Sequence, residues 1–320
     1  MEQRQLVGLI TQRSPVRVRP PLPINNFNEL FIDYRSGDGL TMLTSEQILY
    51  FETFGFIVVK KAFSDKEMSD ITTSFEKGML DDRHGKPFDG EQRQSIFGMV
   101  ERNPELVGLV VDQRIYGSID QILGPGFIWT ASDGNFWVGD TQWHPDRHDR
   151  TWPLIKVAMY LDSVKKDSGC LRVIPGSHKL PLHSDLMPLE KWRDKKNNND
   201  DKMVANFNNS DELDFGLNGK DVPCVALETS PGDLIFFHQN LFHASFGGHV
   251  GRRQLALSYG ANPTTKEQMV QVRQMYNANL SGAHERKNVE DDRLYGDVLM
   301  ANSNPQIKAV AKRLLELGLK

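Results

Sequence analysis

"SPGDLIFFHQNLFHASFGGHVGRRQLALSYG", residues 230–260, alternates short apolar runs with turn residues. "DLIFFH" and "RQLALSYG" are rich in β-branched and aromatic residues and read as strands, while "SPGD" and "FGGHVG" read as turns. The same texture reaches back to residue 127 through "FIWTAS", "IKVAMYLD", "CLRVIPG" and "VALET", with "SDGN" and "KKDSG" between them. Many short strands joined by Gly, Pro and Asp turns predict a mainly-β sandwich or barrel. Residues 179–222 interrupt this pattern. They are polar and Asn-rich, too long for a simple turn, and are expected to form a cover over the β-core or an irregular insert.

Helical signals flank the β-region. In "LTSEQILYFETFGFIVVKKAFSDKEMSD", Thr44 stands three residues before Gln47, and Ser64 three before Glu67. Each pair is a capping box, in which a side chain accepts from a free helix N–H and the later residue bonds back. The first helix is expected to break near Gly55, and "FIVVK" to form a strand. The second buries Met68, Ile71 and Phe75 on one face. "NPELVGLVVDQRIYGSIDQILG" predicts a third helix, capped by Asn103 and closed by Gly124. After residue 263, "TKEQMVQVRQMY" and "PQIKAVAKRLLELGLK" read as helices. The expectation is an α+β, mainly-β domain over residues 42–320. It comprises a helical layer (42–124), a β-core (127–262) and a helical tail (263–320). Residues 1–41 are expected to be an extended or disordered arm. "QRSPVRVRPPLP" (12–23) has no helical or strand period, and its four prolines suit neither element.

The bulk numbers narrow the function. The chain has 320 residues, 38 Lys and Arg against 42 Asp and Glu, and a net charge of −4. No basic surface for nucleic acid is indicated. No apolar run approaches the ~20 residues of a membrane span. Two cysteines, Cys170 and Cys224, imply no disulfide framework and suit a cytoplasmic protein. A small-molecule substrate is the expected partner.

"QWHPDRHDR" (142–150) carries the chemistry. His144 and Asp146 lie two apart, so on a strand both point to one face and can reach one ion. A bare His-x-Asp is a weak signal. His243, 243 − 144 = 99 residues later, supplies a second imidazole. Two histidines and one carboxylate bind one face of Fe(II) and leave three positions open. Two suit a chelating 2-oxo acid and the third O₂. Arg253 follows on the next strand, and its planar fork suits the far carboxylate of such an acid. His238 is a rival ligand, and His178 in "PGSH" has a ligand-like look. Arg147, His148, Asp149 and Arg150 read either as a solvated ion-paired loop or as a substrate-facing rim. Lys156 is expected to reach solvent from a strand end; pointing inward, it would need a carboxylate partner. Trp137 and Trp143 read as packing, with pocket lining as the alternative.

Four blocks, "WHPD", "DSGCLRVIPGSHK", "PGDLIFFHQNLFHAS" and "RRQLAL", stand in an order that resembles the phytanoyl-CoA dioxygenase (PhyH) family of Fe(II)/2-oxoglutarate oxygenases. The resemblance spans roughly residues 42–262. It implies a double-stranded β-helix (jelly-roll, cupin-like) core. It implies His144, Asp146 and His243 as iron ligands, and Arg253, with Ser245, as the 2-oxoglutarate anchor. Arg252 is the neighbouring alternative; Arg253 is preferred because "RQLALS" matches the family's strand, which opens with the binding arginine. The implied reaction uses O₂ and 2-oxoglutarate and releases succinate and CO₂ while hydroxylating a C–H bond. Asp146 favours hydroxylation over halogenation, because related halogenases lack that carboxylate. Acyl-CoA is not implied, since no compact basic cluster is reserved for its phosphates. The competing readings are a non-oxygenase binding protein on the same scaffold and a metal-dependent isomerase or hydrolase.

Overall fold

In the computed structural model, residues 31–33, 43–190, 219–286, 288–289 and 292–320 are described. Most of the expected N-terminal arm and the centre of the 179–222 insert lie outside these residues.

Eleven strands among the described residues form two sheets. The first has seven strands in the order β1 (Phe31–Asp33), β2 (Phe56–Lys60), β9 (Leu234–His238), β6 (Leu154–Tyr160), β11 (Arg252–Gly260), β4 (Ile128–Trp137) and β3 (Gln94–Phe97). The second has β5 (Thr141–His144), β10 (His243–Ser245), β7 (Leu171–Val173) and β8 (Val225–Leu227). Pairing is antiparallel throughout except for β1 beside β2. Two antiparallel sheets facing each other are the expected jelly-roll core. Phe31–Asp33 belongs to the stretch expected to be an arm, yet it pairs with Val58–Lys60.

Strand alternation sorts side chains between two faces. On β11, Leu255, Leu257 and Tyr259 join the main core, which they share with helices on the outer face of the large sheet. These helices are α1 (Ser45–Phe54), α2 (Asp65–Asp82) and α3 (Gln113–Leu123) before the β-region, and α5 (Lys266–Glu285) and α7 (Pro305–Glu316) after it. They contribute Phe51, Phe75, Ile115, Val272 and Leu314. Two four-residue helices, α4 (Leu182–Asp185) and α6 (Asp297–Met300), also occur among the described residues. A second cluster, with Phe56, Ala158, Tyr160, Leu171 and Phe237, fills one end of the space between the sheets. A third packs Trp143, Phe242, Ala244 and Phe246 against Leu189 and Val222, the flanks of the insert. The small sheet's outer face is thus sealed, and His144, His243 and Ser245 alternate to its inner face.

Local rules set most boundaries. Thr44 and Gln47 make the expected capping box, as do Ser64 and Glu67. Gly55 ends α1 at φ +83°, and a Cβ there would sit 2.5 Å from the His178 ring. Close packing and left-handed backbone therefore both require glycine. The third helix is a correction. Asn103 caps only a turn, accepting from the N–H groups of Glu105 and Leu106. A 3-10 segment, Val107–Val111, follows, and α3 starts at Gln113 under an Asp112 cap. The β-branched "LVGLVV" run disfavours α-helix there. No helix among the described residues is long and apolar enough to cross a membrane.

Candidate metal centre

β5 and β10 place His144 directly opposite His243, with ring centroids 4.3 Å apart. The register then shifts, so that Ser245 faces Thr141. A bulge of this kind re-aims side chains beside functional sites. His144 Nδ1 donates to the Gln142 carbonyl at 2.7 Å, and His243 Nδ1 to the Leu241 carbonyl at 2.9 Å. A carbonyl only accepts, so each Nδ1 carries a proton, which leaves Nε2 as the ring nitrogen facing Asp146 and the atom a metal ion would take. Asp146 lies just beyond the end of β5 rather than on it, held by its N–H donating to the Gln239 carbonyl at 2.8 Å. Its Oδ1 stands 4.0 Å from His144 Nε2 and 3.8 Å from His243 Nε2. One donor atom from each of the three lies within 4.8 Å of the others, and no other such set occurs among the described residues. Two oriented imidazoles and a carboxylate fit a non-haem iron ion.

The second carboxylate oxygen, Oδ2, contacts Lys156 Nζ at 2.8 Å. The sequence suggested that Lys156 runs out to solvent from a strand end; instead its ammonium turns inward to Asp146, with 22% of the side chain still accessible. Lys156 sits on β6, in the middle of the large sheet, between Phe237 of β9 and Ser258 of β11. Burial alone would raise the Asp146 carboxyl. Lys156, then His243 and His144, outweigh that and hold it well below the usual carboxylate range. Burial likewise acts to lower the Lys156 ammonium, but Asp146 and then Asp133 raise it. Both groups stay charged.

The two arginines of β11 separate. Arg253 lies on the helix-facing side, where its Nε and Nη2 bond to Asp162 and its Nη1 to Glu76 at 2.6 Å. The structure does not bring it to the centre, which corrects the sequence preference. Arg252 points between the sheets, is 1% exposed, and its Nε and Nη1 have no hydrogen-bond partner among the described residues. A Cβ on Gly169 or Gly248 would fall 1.8 or 1.4 Å from its Nη1, so both glycines are required for its cradle. Ser245 Oγ donates to the Gly169 carbonyl at 2.9 Å. A buried guanidinium with two orphaned donors fits the distal carboxylate of 2-oxoglutarate.

The remaining candidates sit elsewhere. His238 and His178 pack ring to ring at 5.3 Å, and His178 Nε2 donates to the Glu52 carbonyl. His148 pairs with Glu190 at 2.9 Å, Arg147 Nη2 donates to Gln271, and Asp149 accepts from Thr151. Trp143 is buried packing, its Nε1 donating to Gly219. Trp137 is more than packing. Its Nε1 donates to Gln254, and Arg93 lies over its ring at 3.7 Å. Arg93 also bonds Asn135, which bonds Asp133. Sequence reasoning missed this polar wall. The signal was present: Asp133, Asn135 and Trp137 alternate on β4, the period of one strand face.

Two facing sheets around a two-histidine, one-carboxylate centre define the architecture of a non-haem iron oxygenase. Residues 51–253 match the sequence model of the phytanoyl-CoA dioxygenase (PhyH) family. The chain belongs to this family of iron(II)- and 2-oxoglutarate-dependent dioxygenases. It is 25% identical over 248 residues to peroxisomal phytanoyl-CoA dioxygenase of Rattus norvegicus, covering 69% of each chain. It is also 25% identical over 250 residues to ectoine dioxygenase of Stutzerimonas stutzeri (strain A1501), covering 72% of this chain and 80% of the relative. Solved structures with the same fold include HygX from Streptomyces hygroscopicus with nickel and 2-oxoglutarate bound. It has a TM-score of 0.50 and 19% identity, over 71% of this chain and 90% of that one. AviO1 from Streptomyces viridochromogenes Tue57 also has a TM-score of 0.50, with 18% identity over 70% of this chain and 99% of that one.

Proposed function

We propose that the chain hydroxylates an unactivated C–H bond of a small polar metabolite, with His144, Asp146 and His243 holding Fe(II). The observation that carries the cosubstrate assignment is Arg252, buried, orphaned and on the same inner space as the three ligands. Arg252, rather than Arg253, anchors the far carboxylate of 2-oxoglutarate, and Ser245 assists. The bound iron and 2-oxoglutarate supply the oxidising chemistry with O₂, releasing succinate and CO₂. The protein's own part is orientation and exclusion of water. The Gln142 and Leu241 carbonyls fix which imidazole nitrogens face inward, Gln239 pins the Asp146 backbone, and the apolar wall of Phe237 and Tyr160 limits water.

The substrate class rests on the inner wall. Arg93, Asp133, Asn135, Lys156 and Gln254 form a charged, hydrogen-bonding surface that suits a polar molecule better than a fatty chain. Two free cysteines, Cys170 and Cys224, support a reducing compartment such as the cytoplasm. Anaerobic protein given Fe(II) and 2-oxoglutarate is expected to develop a visible charge-transfer band that His144→Ala removes. Absence of the band from wild-type protein would overturn the assignment. Succinate release across a panel of polar metabolites and acyl-CoA esters then tests the class; turnover of acyl-CoA alone would refute it.

A further inference from the structure

We infer that Lys156 is a positioning residue that confines Asp146 to one-oxygen ligation, an inference that rests on the iron centre proposed above. The carboxylate is divided between two tasks. Oδ1 faces the two inward Nε2 atoms at 3.8 and 4.0 Å, while Oδ2 is taken by the Lys156 ammonium at 2.8 Å. The ammonium charge at that distance draws Oδ2 to its own side and so opposes rotation of that oxygen toward a metal ion. A freely rotating carboxylate could instead swing both oxygens onto the ion and fill a position that 2-oxoglutarate needs.

The lysine is placed to do this, beside its part in the polar inner wall. It occupies the inner face of a central strand, flanked by Phe237 and Ser258, where an unpaired ammonium is costly. The Asp146 backbone is fixed independently through Gln239, so Lys156 acts on the side chain alone. Outer-shell partners of metal ligands orient them in this way, and losing one typically costs roughly 10–100-fold in affinity or activity. Arginine can make the same contact from the same wall, whereas methionine, similar in length, cannot.

The test loads the full chain with Co(II), a redox-stable substitute for Fe(II), and records metal-minus-apo infrared difference spectra. The separation of the asymmetric and symmetric carboxylate stretches is wide for one-oxygen and narrow for two-oxygen ligation. Lys156→Met is expected to narrow the separation assigned by Asp146→Ala, and to weaken 2-oxoglutarate binding to the Co(II) protein by about tenfold or more. Lys156→Arg is expected to keep the wild-type separation and bind 2-oxoglutarate within about threefold of wild type. If Lys156→Met does not fold, as judged by melting of the metal-free protein, Lys156→Gln is read in the same way. An unchanged separation in Lys156→Met or Lys156→Gln overturns the positioning role while leaving the iron assignment intact. Equal narrowing in Lys156→Arg also overturns it. Wild-type protein that binds neither metal nor 2-oxoglutarate overturns both readings.

Discussion

Arg252 and Arg253 are neighbours in the chain, yet their guanidinium groups stand on opposite faces of β11 and meet different worlds. Arg253 closes an ion-pair cluster with Asp162 and Glu76 on the helix side, whereas Arg252 is buried with unmet donors. Arg252→Leu is therefore expected to weaken 2-oxoglutarate binding by roughly 10- to 150-fold, the equivalent of about 1.5–3 kcal/mol for hydrogen bonds to a charged group. Arg253→Leu should leave that affinity alone and lower stability by about 1 kcal/mol, since its pairs are partly exposed. Titrations of both variants by calorimetry decide the matter, and a reversed order would restore Arg253. The sequence could not settle this choice. A strand's side chains flip with every residue, so placing the turn before β11 one residue off exchanges the two faces. The three proposed metal ligands escaped that ambiguity, because His144 and His243 each belong to a distinct short pattern and the structure brings both to one point.

Element boundaries follow the same division between local and tertiary causes. Capping boxes, turn glycines and alternating strands are written in a few adjacent residues, so α1, α2, β6, β9 and β11 were legible. The chain from Asn103 to Gly124 was not, because Asn103 fits a cap while the following β-branched run resists an α-helix. β1 and β3 were not legible either; their residues carry no distinctive alternation, and only neighbouring strands recruit them. The junction of α1 and β2 offers a sharp test. Gly55→Ala places a methyl 2.5 Å from the His178 ring in left-handed backbone. Urea unfolding should show a loss of more than about 1 kcal/mol, exceeding the ~1 kcal/mol expected of Thr44→Ala, which removes only the cap. Equal losses would mean that the glycine is not needed for the packing of the "PGSH" turn on α1.

Across the whole molecule, two kinds of buried titratable group set opposing pH dependences. His178 and His238 are held down, chiefly by burial, to about 4 and about 3. A histidine whose folded value lies below its unfolded one gives full stability above about 6.5. That stability fades as pH falls toward the folded value, because the unfolded chain binds the extra proton. Glu101 behaves in the opposite sense. It is wholly buried under Ser132, whose N–H and Oγ both donate to it, and burial pushes its carboxyl up to about 7. The folded state therefore binds its proton more tightly than the unfolded chain does, and its stability contribution is lost as pH rises from about 4.5 through 7. Thermal melts at pH 5 and pH 8 separate the two. Glu101→Gln removes only the carboxyl's titration, so its melting temperature relative to wild type should be higher at pH 8 than at pH 5. His238→Gln should shift the other way, doing its greatest damage at pH 8, where the neutral imidazole is fully favourable. The same offset at both pH values for Glu101→Gln would mean that its carboxyl titrates alike in the folded and unfolded chain, with no net effect of its burial between the large sheet and its helices.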